Sequence, residues 1–219
     1  MSRPAEEAKT PVPTPRLLDS STSRLLVASR NRAKAAEIAA ILHSEGLDLE
    51  VISLADFPDV ALPPETGRTF AENAIAKAKY AAAATGLPAV ADDSGLEVDA
   101  LGGEPGVMSA RYGGPDATDR DRYEKVLNLL RDAPDDKRTA RFRCAAAYAA
   151  PDGEMLLAEE AVEGRIAREP SGSGGFGYDP IFVPAGETRT MAQLTPEEKH
   201  AISHRGRAFR ALARTMREL

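Results

Sequence analysis

Two hydrophobic rhythms run along this chain. Short apolar-rich stretches of strand length occupy residues 25–28, 49–54, 87–93 and 181–183, and longer stretches in which polar and apolar residues mix occupy 139–149 and 155–166 on either side of Pro151-Asp152-Gly153. Short runs closed by turn formers predict strands, and the two long ones predict an antiparallel pair joined at the Pro-Asp-Gly turn. Elsewhere the apolar positions fall at helical spacing. Ala35, Ile38, Ile41 and Leu42 form one stripe, stopped at Gly46. Phe70, Ala74, Ala78 and Ala81 form a second, in a helix from Thr69 to about Thr85 stopped at Gly86. Tyr123, Val126, Leu127 and Leu130 form a third, with Asp119 as its expected cap, and Phe209, Leu212 and Met216 form the last. Just before that last helix, Thr195, Pro196 and Glu198 suit the cap, first and third positions of a short helix.

Residues 1 to about 23 follow neither rhythm. They are rich in Pro, Ser, Thr and charge, with Pro11, Pro13 and Pro15 alternating, and predict a disordered extension. The rest of the 219 residues suits one sizeable domain or a two-lobed one. Only 5% of the chain is aromatic and Trp is absent, so Ala, Leu and Val must fill most of the core. A net charge of −6 argues against sequence-blind binding of nucleic acid or of an anionic membrane, and leaves room for a local basic pocket. Cys144 is the single cysteine and cannot form an internal disulfide, which suits a reducing compartment. No apolar run has the length of a bilayer span, and the N-terminus lacks the apolar core of a signal peptide, so the cytoplasm is the expected location.

The candidate chemistry gathers at the ends of the predicted strands. The run 87–93 ends in Asp92 and Asp93, followed by Ser94 and Gly95. It is expected to be a buried strand that delivers both carboxylates into a cleft and then turns. Adjacent carboxylates need solvent, a cation or basic partners, although Asp, Ser and Gly are also ordinary turn residues. The strand 25–28 passes through Ser29, Arg30 and Asn31 into a helix beginning near Arg32, Ala33 and Lys34. Strand, polar turn and helix start present free N–H groups to an anion. Cations are disfavoured at that end of a helix unless an anion is bound there. Thr69 and Glu72 have capping-box spacing. Asn73 and Lys77 share a neighbouring face, and the favoured reading of Lys77 from its helix alone is a surface lysine.

Further along, the segment 171–180 is glycine-rich and carries Phe176, Gly177, Tyr178 and Asp179. Its glycines permit close backbone approach to a ligand, and its two aromatic rings offer a face to a base. His204 and Arg205 place two donors at one helix start, suited to carbonyl or phosphate oxygens. Glu65, Asp92 and Asp93 are hard oxygen ligands of the kind Mg²⁺ prefers. No Cys/His cluster suggests zinc, and no Walker loop occurs.

These motifs together resemble the inosine triphosphate pyrophosphatase family, the dITP/XTP pyrophosphatases that remove non-standard purine nucleotides. The resemblance rests on Ser29 to Lys34 with Glu37, Glu65-Thr66-Gly67, Thr69 to Ala74 with Lys77-Ala78, and Ala91 to Leu96. It continues through Leu101-Gly102-Gly103, Pro105-Gly106, Ser109 to Tyr112, Gly174 to Pro180, Glu198-Lys199 and Ser203 to Gly206, and covers about residues 24–219. It implies an elongated α/β fold, a mixed β-sheet flanked by helices with two lobes around a central cleft, and a homodimer. It implies Mg²⁺-dependent hydrolysis of a nucleoside triphosphate to monophosphate and pyrophosphate. Asp93 would accept the proton and bind Mg²⁺ together with Asp92 and Glu65. Ser29, Arg30, Asn31, Arg32, Ala33 and Lys34 would hold the triphosphate, with Lys77 and Lys199 adding charge. Ser94, Phe176, Gly177, Tyr178, Asp179, His204 and Arg205 would hold the nucleotide, with Phe176 stacked on the purine.

Two positions depart from the family pattern. Pro64 stands where many members carry a second acid before Thr-Gly, and Arg30 stands where Gly is common. Donors aimed at position 6 would accept a 6-oxo purine and reject adenine, whose amino group leaves them unpaired. Two other readings belong to different classes. One is a non-catalytic purine-nucleotide sensor, against which the intact Asp92-Asp93 pair speaks. The other is a nucleic-acid module using Arg205, Arg207, Arg210, Arg214 and Arg217, which are spread around their helix rather than gathered on one face.

Overall fold

The computed structural model describes residues 24–218; the expected N-terminal extension lies outside them. In chain order the elements are β1 (Arg24–Val27), α1 (Arg32–Ser44), β2 (Glu50–Ser53), α2 (Phe70–Thr85), β3 (Ala89–Val98), α3 (Asp119–Leu129), β4 (Thr139–Ala149), β5 (Met155–Ile166), β6 (Phe182–Pro184), α4 (Pro196–Ile202) and α5 (His204–Met216). The strands form one mixed sheet in the order β2-β1-β3-β4-β5-β6. Both β2 and β3 run parallel to β1, and every pairing from β3 onward is antiparallel. The mixed sheet flanked by helices is the architecture expected from the resemblance.

The sheet forks at β3. β1 pairs with it only at Leu26↔Ala89 and Val27↔Val90, whereas β4 accompanies it from Ala89↔Ala149 to Val98↔Ala140. Asp92 and Asp93 therefore lie just past the point where β1 turns away toward α1. An opening of this kind, outside the carboxyl ends of parallel strands, is where open α/β sheets bind ligands.

Successive residues of a strand point to opposite faces, and both faces of β3 are covered. Val90 packs with Ile38 and Leu42 of α1 and with Phe209 and Leu212 of α5. Ala89 and Ala91 pack with Phe70, Ala74 and Ala78 of α2 and with Ala145 and Ala147 of β4. Small side chains on both partners let α2 lie close to the sheet, so a core with few aromatic residues is still filled. A third cluster, around Leu96, Val126, Phe142, Tyr178 and Phe182, holds the far end of the antiparallel half.

Two local expectations are corrected. Ser94 and Gly95 do not turn: they continue β3, paired with Cys144 and Arg143. Pairing along the whole of β4 overrides the turn preference of Asp-Asp-Ser-Gly, and the carboxylates lie in mid-strand at the fork. Gly95 is needed there for space, since a Cβ would come within 2.6 Å of the Gly106 carbonyl oxygen. The cap of α3 is Thr118 rather than Asp119. Its hydroxyl accepts from Asp121 N at 3.2 Å while the Asp121 carboxylate accepts from Thr118 N at 2.8 Å, a complete capping box. Asp119 is thereby left for a different contact.

Candidate active site

Alternation along β3 separates the two aspartates. Asp92 faces α1 and α5. Its Oδ1 lies 2.7 Å from Lys34 Nζ and its Oδ2 accepts from Arg205 Nε at 3.3 Å. Arg205 also donates to Glu37 at 3.1 Å. Burial alone would raise the Asp92 pKa, but Lys34 and Arg205 outweigh it and hold the carboxyl well below its usual range. Asp92 is thus the buried anion to which two cations of the cleft are fastened.

Asp93 faces α2. Its Oδ2 accepts from the Asn73 side-chain amide at 2.8 Å, and its Oδ1 lies 3.7 Å from Lys77 Nζ. Burial pushes its pKa up, with help from Glu65 and Asp92, against the opposing pull of Lys77 and Asn73. Lys77 is buried rather than a surface lysine, and donates to Glu65 at 2.6 Å. Glu65 is further held by Arg111, whose guanidinium donates to its backbone carbonyl at 2.9 Å. Asn73 closes the arrangement, because its Oδ1 accepts from Gly67 N at 2.8 Å. A Cβ on Gly67 would stand 2.6 Å from that oxygen, so Glu65-Thr66-Gly67 approaches α2 only with glycine at its end.

Of the three expected metal ligands, Asp93 and Glu65 come together around Lys77 while Asp92 points to the other face. Among the described residues no three His, Cys, Asp or Glu side chains converge. The pair nevertheless fits Mg²⁺: both are hard carboxylates and they already flank a cation. Mg²⁺ is commonly held by one or two carboxylates with substrate phosphates and water.

The start of α1 lies beside this centre. Asn31 is its cap and accepts from Lys34 N at 3.1 Å, Ser29 Oγ accepts from Asn31 N at 3.2 Å, and the first turn has no acidic residue. The N–H groups of Arg32 and Ala33 belong to that open first turn. Arg30, the departure from the family pattern, donates to the carbonyls of Pro58 and Val60 at 3.1 and 2.8 Å, and Arg32 pairs with Asp56 at 2.7 Å. Both arginines therefore tie the helix start to the loop after β2.

Farther along the Asp92 face of β3 a cavity of about 190 Å³ opens, lined by Ser94, Phe142, Phe176, Tyr178, Asp179 and His204 among others. That is space enough for a bicyclic base. His204 is stacked on Phe142, with ring centroids 4.9 Å apart and an angle of 16°. Burial drives its pKa down to about 3, with Arg205 adding to the effect, so the ring is neutral. Its Nδ1 is buried without a hydrogen-bond partner among the described residues. Phe176 is 59% exposed at the mouth of the cavity, with Lys199 Nζ 4.5 Å from its ring centroid. Its loop is fixed by Asp179, which accepts from Phe176 N at 2.8 Å and pairs with Lys199. A Cβ on Gly175 would collide with that carboxylate, and its φ of 73° also favours glycine. Gly177 lines the same cavity. Tyr178 is buried and donates to Ser109 O at 2.9 Å, so it forms the floor rather than an exposed stacking face.

Several residues that complete the site were not singled out from the sequence: Asn73 as a holder of Asp93, Arg111, Phe142, and the α3 pair Asp119 and Arg122. Asn73 and Arg111 stood within the motifs of the resemblance and Asp119 as a helix cap, but none with the role that it has here; Phe142 and Arg122 carried no signal. The remaining arginines of α5 reach protein acceptors: Arg207 donates to Ala161 O and Arg210 to Ala201 O, both at 3.1 Å, and Arg217 donates to Glu45 O at 3.2 Å. Arg214 lies 3.6 Å from Glu45.

Fold and site together define an α/β protein with a cation-rich, carboxylate-bearing cleft that runs along β3 into a base-sized cavity. Residues 25–215 match the model of the Ham1 family, and the chain belongs to that family. It is 51% identical over 197 residues to a dITP/XTP pyrophosphatase of Streptomyces coelicolor, covering 90% of this chain and 98% of the relative. It is 51% identical over 196 residues to a dITP/XTP pyrophosphatase of Shigella flexneri, covering 89% and 98%. Among solved structures, a HAM1 protein from Coxiella burnetii superposes with a TM-score of 0.82 at 46% identity, covering 90% of this chain and 99% of that one.

Proposed function

We propose that the protein hydrolyses non-standard purine nucleoside triphosphates, ITP, dITP and XTP, to the monophosphate and pyrophosphate, clearing them from the nucleotide pool. The observation that carries this reading is continuity. Lys34 and Arg205 both hold Asp92, and the Arg205 guanidinium lies 5.9 Å from the ring of Phe176, which lines the cavity with Ser94 and His204, so the cations at the start of α1 and the base-sized cavity meet at one side chain. One nucleotide could place its triphosphate at the first and its purine at the second.

In this reading the start of α1, from Ser29 to Lys34, and Lys77 bind the triphosphate; Lys199, expected to add charge there, is instead fastened to Asp179 beside Phe176 at the base end. Asp93 orients the attacking water and takes its proton; a carboxyl pKa raised toward the working pH suits a general base. Asn73 and Lys77 hold Asp93 in place. Mg²⁺ would be held by Asp93 and Glu65, and when bound it would neutralise charge on the phosphates and the pyrophosphate leaving group. Asp92 anchors Lys34 and Arg205 instead. At the other end Phe176 stacks on the purine. His204 and Arg205 address position 6, where a 6-oxo group accepts a hydrogen bond and an amino group does not.

Two further features belong to the proposal. Met155 and Leu157 are exposed on one face of β5, which supports a homodimer. Among the described residues no helix is long and apolar enough to cross a membrane, and the lone Cys144 is buried, which supports a cytoplasmic protein. The deciding measurement is pyrophosphate release from ITP, dITP, XTP, ATP and GTP with and without Mg²⁺. Strong preference for the first three and dependence on Mg²⁺ are expected. Equal rates on all five, or orthophosphate as the direct product, would overturn the reading.

A further inference from the structure

We propose that Arg122 is a specificity-determining residue that reads the C2 edge of the purine, favouring xanthine and disfavouring guanine. This rests on the functional reading above and extends it to the C2 position, at which the candidate bases differ and which His204 and Arg205 leave unaddressed. Arg122 lines the same cavity as Ser94, Phe176 and His204, but enters from α3 rather than α5. It therefore meets a ring in the cavity from a different element than His204 does. Its terminal nitrogen lies 2.6 Å from Asp119 Oδ1, and Asp119 Oδ2 accepts from Gly177 N at 2.8 Å in the loop that carries Phe176. Asp119 is thus a positioning residue for both the guanidinium and that loop. The Arg122 Nε is buried and has no hydrogen-bond partner among the described residues. A buried donor without an acceptor is costly, which makes it a natural partner for a ligand acceptor.

The candidate bases differ at C2. Hypoxanthine carries hydrogen there, xanthine an oxygen, and guanine an amino group. A guanidinium N–H matches the xanthine oxygen, and matches it better because the neighbouring N3 of xanthosine ionises near neutrality. The guanine amino group is itself a donor, so it would set donor against donor. Asp119 is held in place by the protein, each of its carboxylate oxygens accepting a hydrogen bond, from Arg122 and from Gly177 N.

The test compares wild type with Arg122→Met and Arg122→Lys. One measurement is kcat/KM for XTP, ITP and GTP. The other is calorimetric binding of xanthosine and inosine monophosphates, which needs no turnover. In Arg122→Met the XTP:ITP ratio is expected to fall at least about tenfold and the GTP:ITP ratio to rise severalfold, with Arg122→Lys between wild type and Arg122→Met. The xanthosine:inosine monophosphate binding ratio should fall in parallel. Unmoved ratios, or an equal loss on all three triphosphates, would show Arg122 to be a structural partner of Asp119 and overturn the proposal. If wild type released no pyrophosphate from any of them while the binding ratio still fell in Arg122→Met, the catalytic reading would fail and this one would stand.

Discussion

The two ends of the cleft are built on opposite principles. At the phosphate end each charged side chain of the inner cluster has a charged partner: Lys34 and Arg205 on Asp92, Lys77 on Glu65 and Asp93, Arg205 also on Glu37. At the base end the walls are Phe142, Phe176 and Tyr178, the charged groups are the pairs Arg122–Asp119 and Lys199–Asp179, His204 is neutral, and among the described residues the buried side-chain polar atoms left without partners are His204 Nδ1 and Arg122 Nε. The difference follows from the ligand. A triphosphate is the same in every nucleotide, so charge there supplies binding and catalysis without discrimination. Bases differ by single donors and acceptors, so discrimination requires polar atoms held ready and otherwise unsatisfied. Perturbations of the first end should therefore act on turnover and stability, and those of the second on affinity and substrate choice.

The largest effect is expected from Asp93→Asn, which keeps the hydrogen bond to Asn73 possible but removes the proton acceptor. Pyrophosphate release should fall about 10²- to 10⁴-fold with the fold retained by circular dichroism. A variant with near wild-type turnover would end the assignment of Asp93 as base. Its neighbour should behave differently. Asp92→Ala leaves Lys34 and Arg205 without their buried anion, so it should destabilise the protein by about 3 kcal/mol in urea denaturation. If Asp92→Ala unfolds at the wild-type midpoint and loses only activity, the aspartate is a ligand or catalyst rather than an anchor.

The contrast between these neighbours also shows what the sequence could and could not tell. The spans Thr139–Ala149 and Met155–Ile166 were legible end to end, because a Pro-Asp-Gly turn separates two long stretches. So was α2 between its Thr69 cap and Gly86, whose φ of 69° ends it. The motif residues were legible because their types carry the chemistry. What was hidden was the extension of β3 through Ser94-Gly95, since pairing with a strand some fifty residues later is not a local property. With that extension missed, the alternation placing Asp92 and Asp93 on opposite faces was missed too. Asp119 was visible only as a generic cap, and its distant partner Gly177 depends on tertiary packing.

At the base end, Phe176→Ala should raise KM for ITP about 5- to 150-fold, from a lost stacking contact worth about 1–3 kcal/mol by alanine substitution. The change in kcat should be much smaller, because the ring lines the base cavity whereas Asp93 is held by Asn73 and Lys77 of α2. A fall in kcat with KM unchanged would place Phe176 in the catalytic step, and the separation of the two ends would fail.

The smallest effect concerns His204, and it is read as stability against pH. Its folded pKa is about 3 and its ordinary value 6.5, so the unfolded chain binds the proton more readily than the native one. The stability contributed by the neutral, buried ring is complete above pH 6.5 and is lost as pH falls toward 3, at a slope approaching about 1.4 kcal/mol per pH unit. Asp93 acts in the opposite sense just above its ordinary carboxyl range, because its native pKa is raised. Asp92, held low, adds loss only below 3.8. Subtraction isolates the histidine: urea midpoints of wild type and His204→Gln are compared between pH 6.5 and 5, where exposed carboxylates are already ionised. The wild type should lose stability faster across that interval than the variant. Parallel curves would mean that His204 takes up its proton without penalty in the folded protein, and the assignment of a neutral ring held ready for the base would then fail.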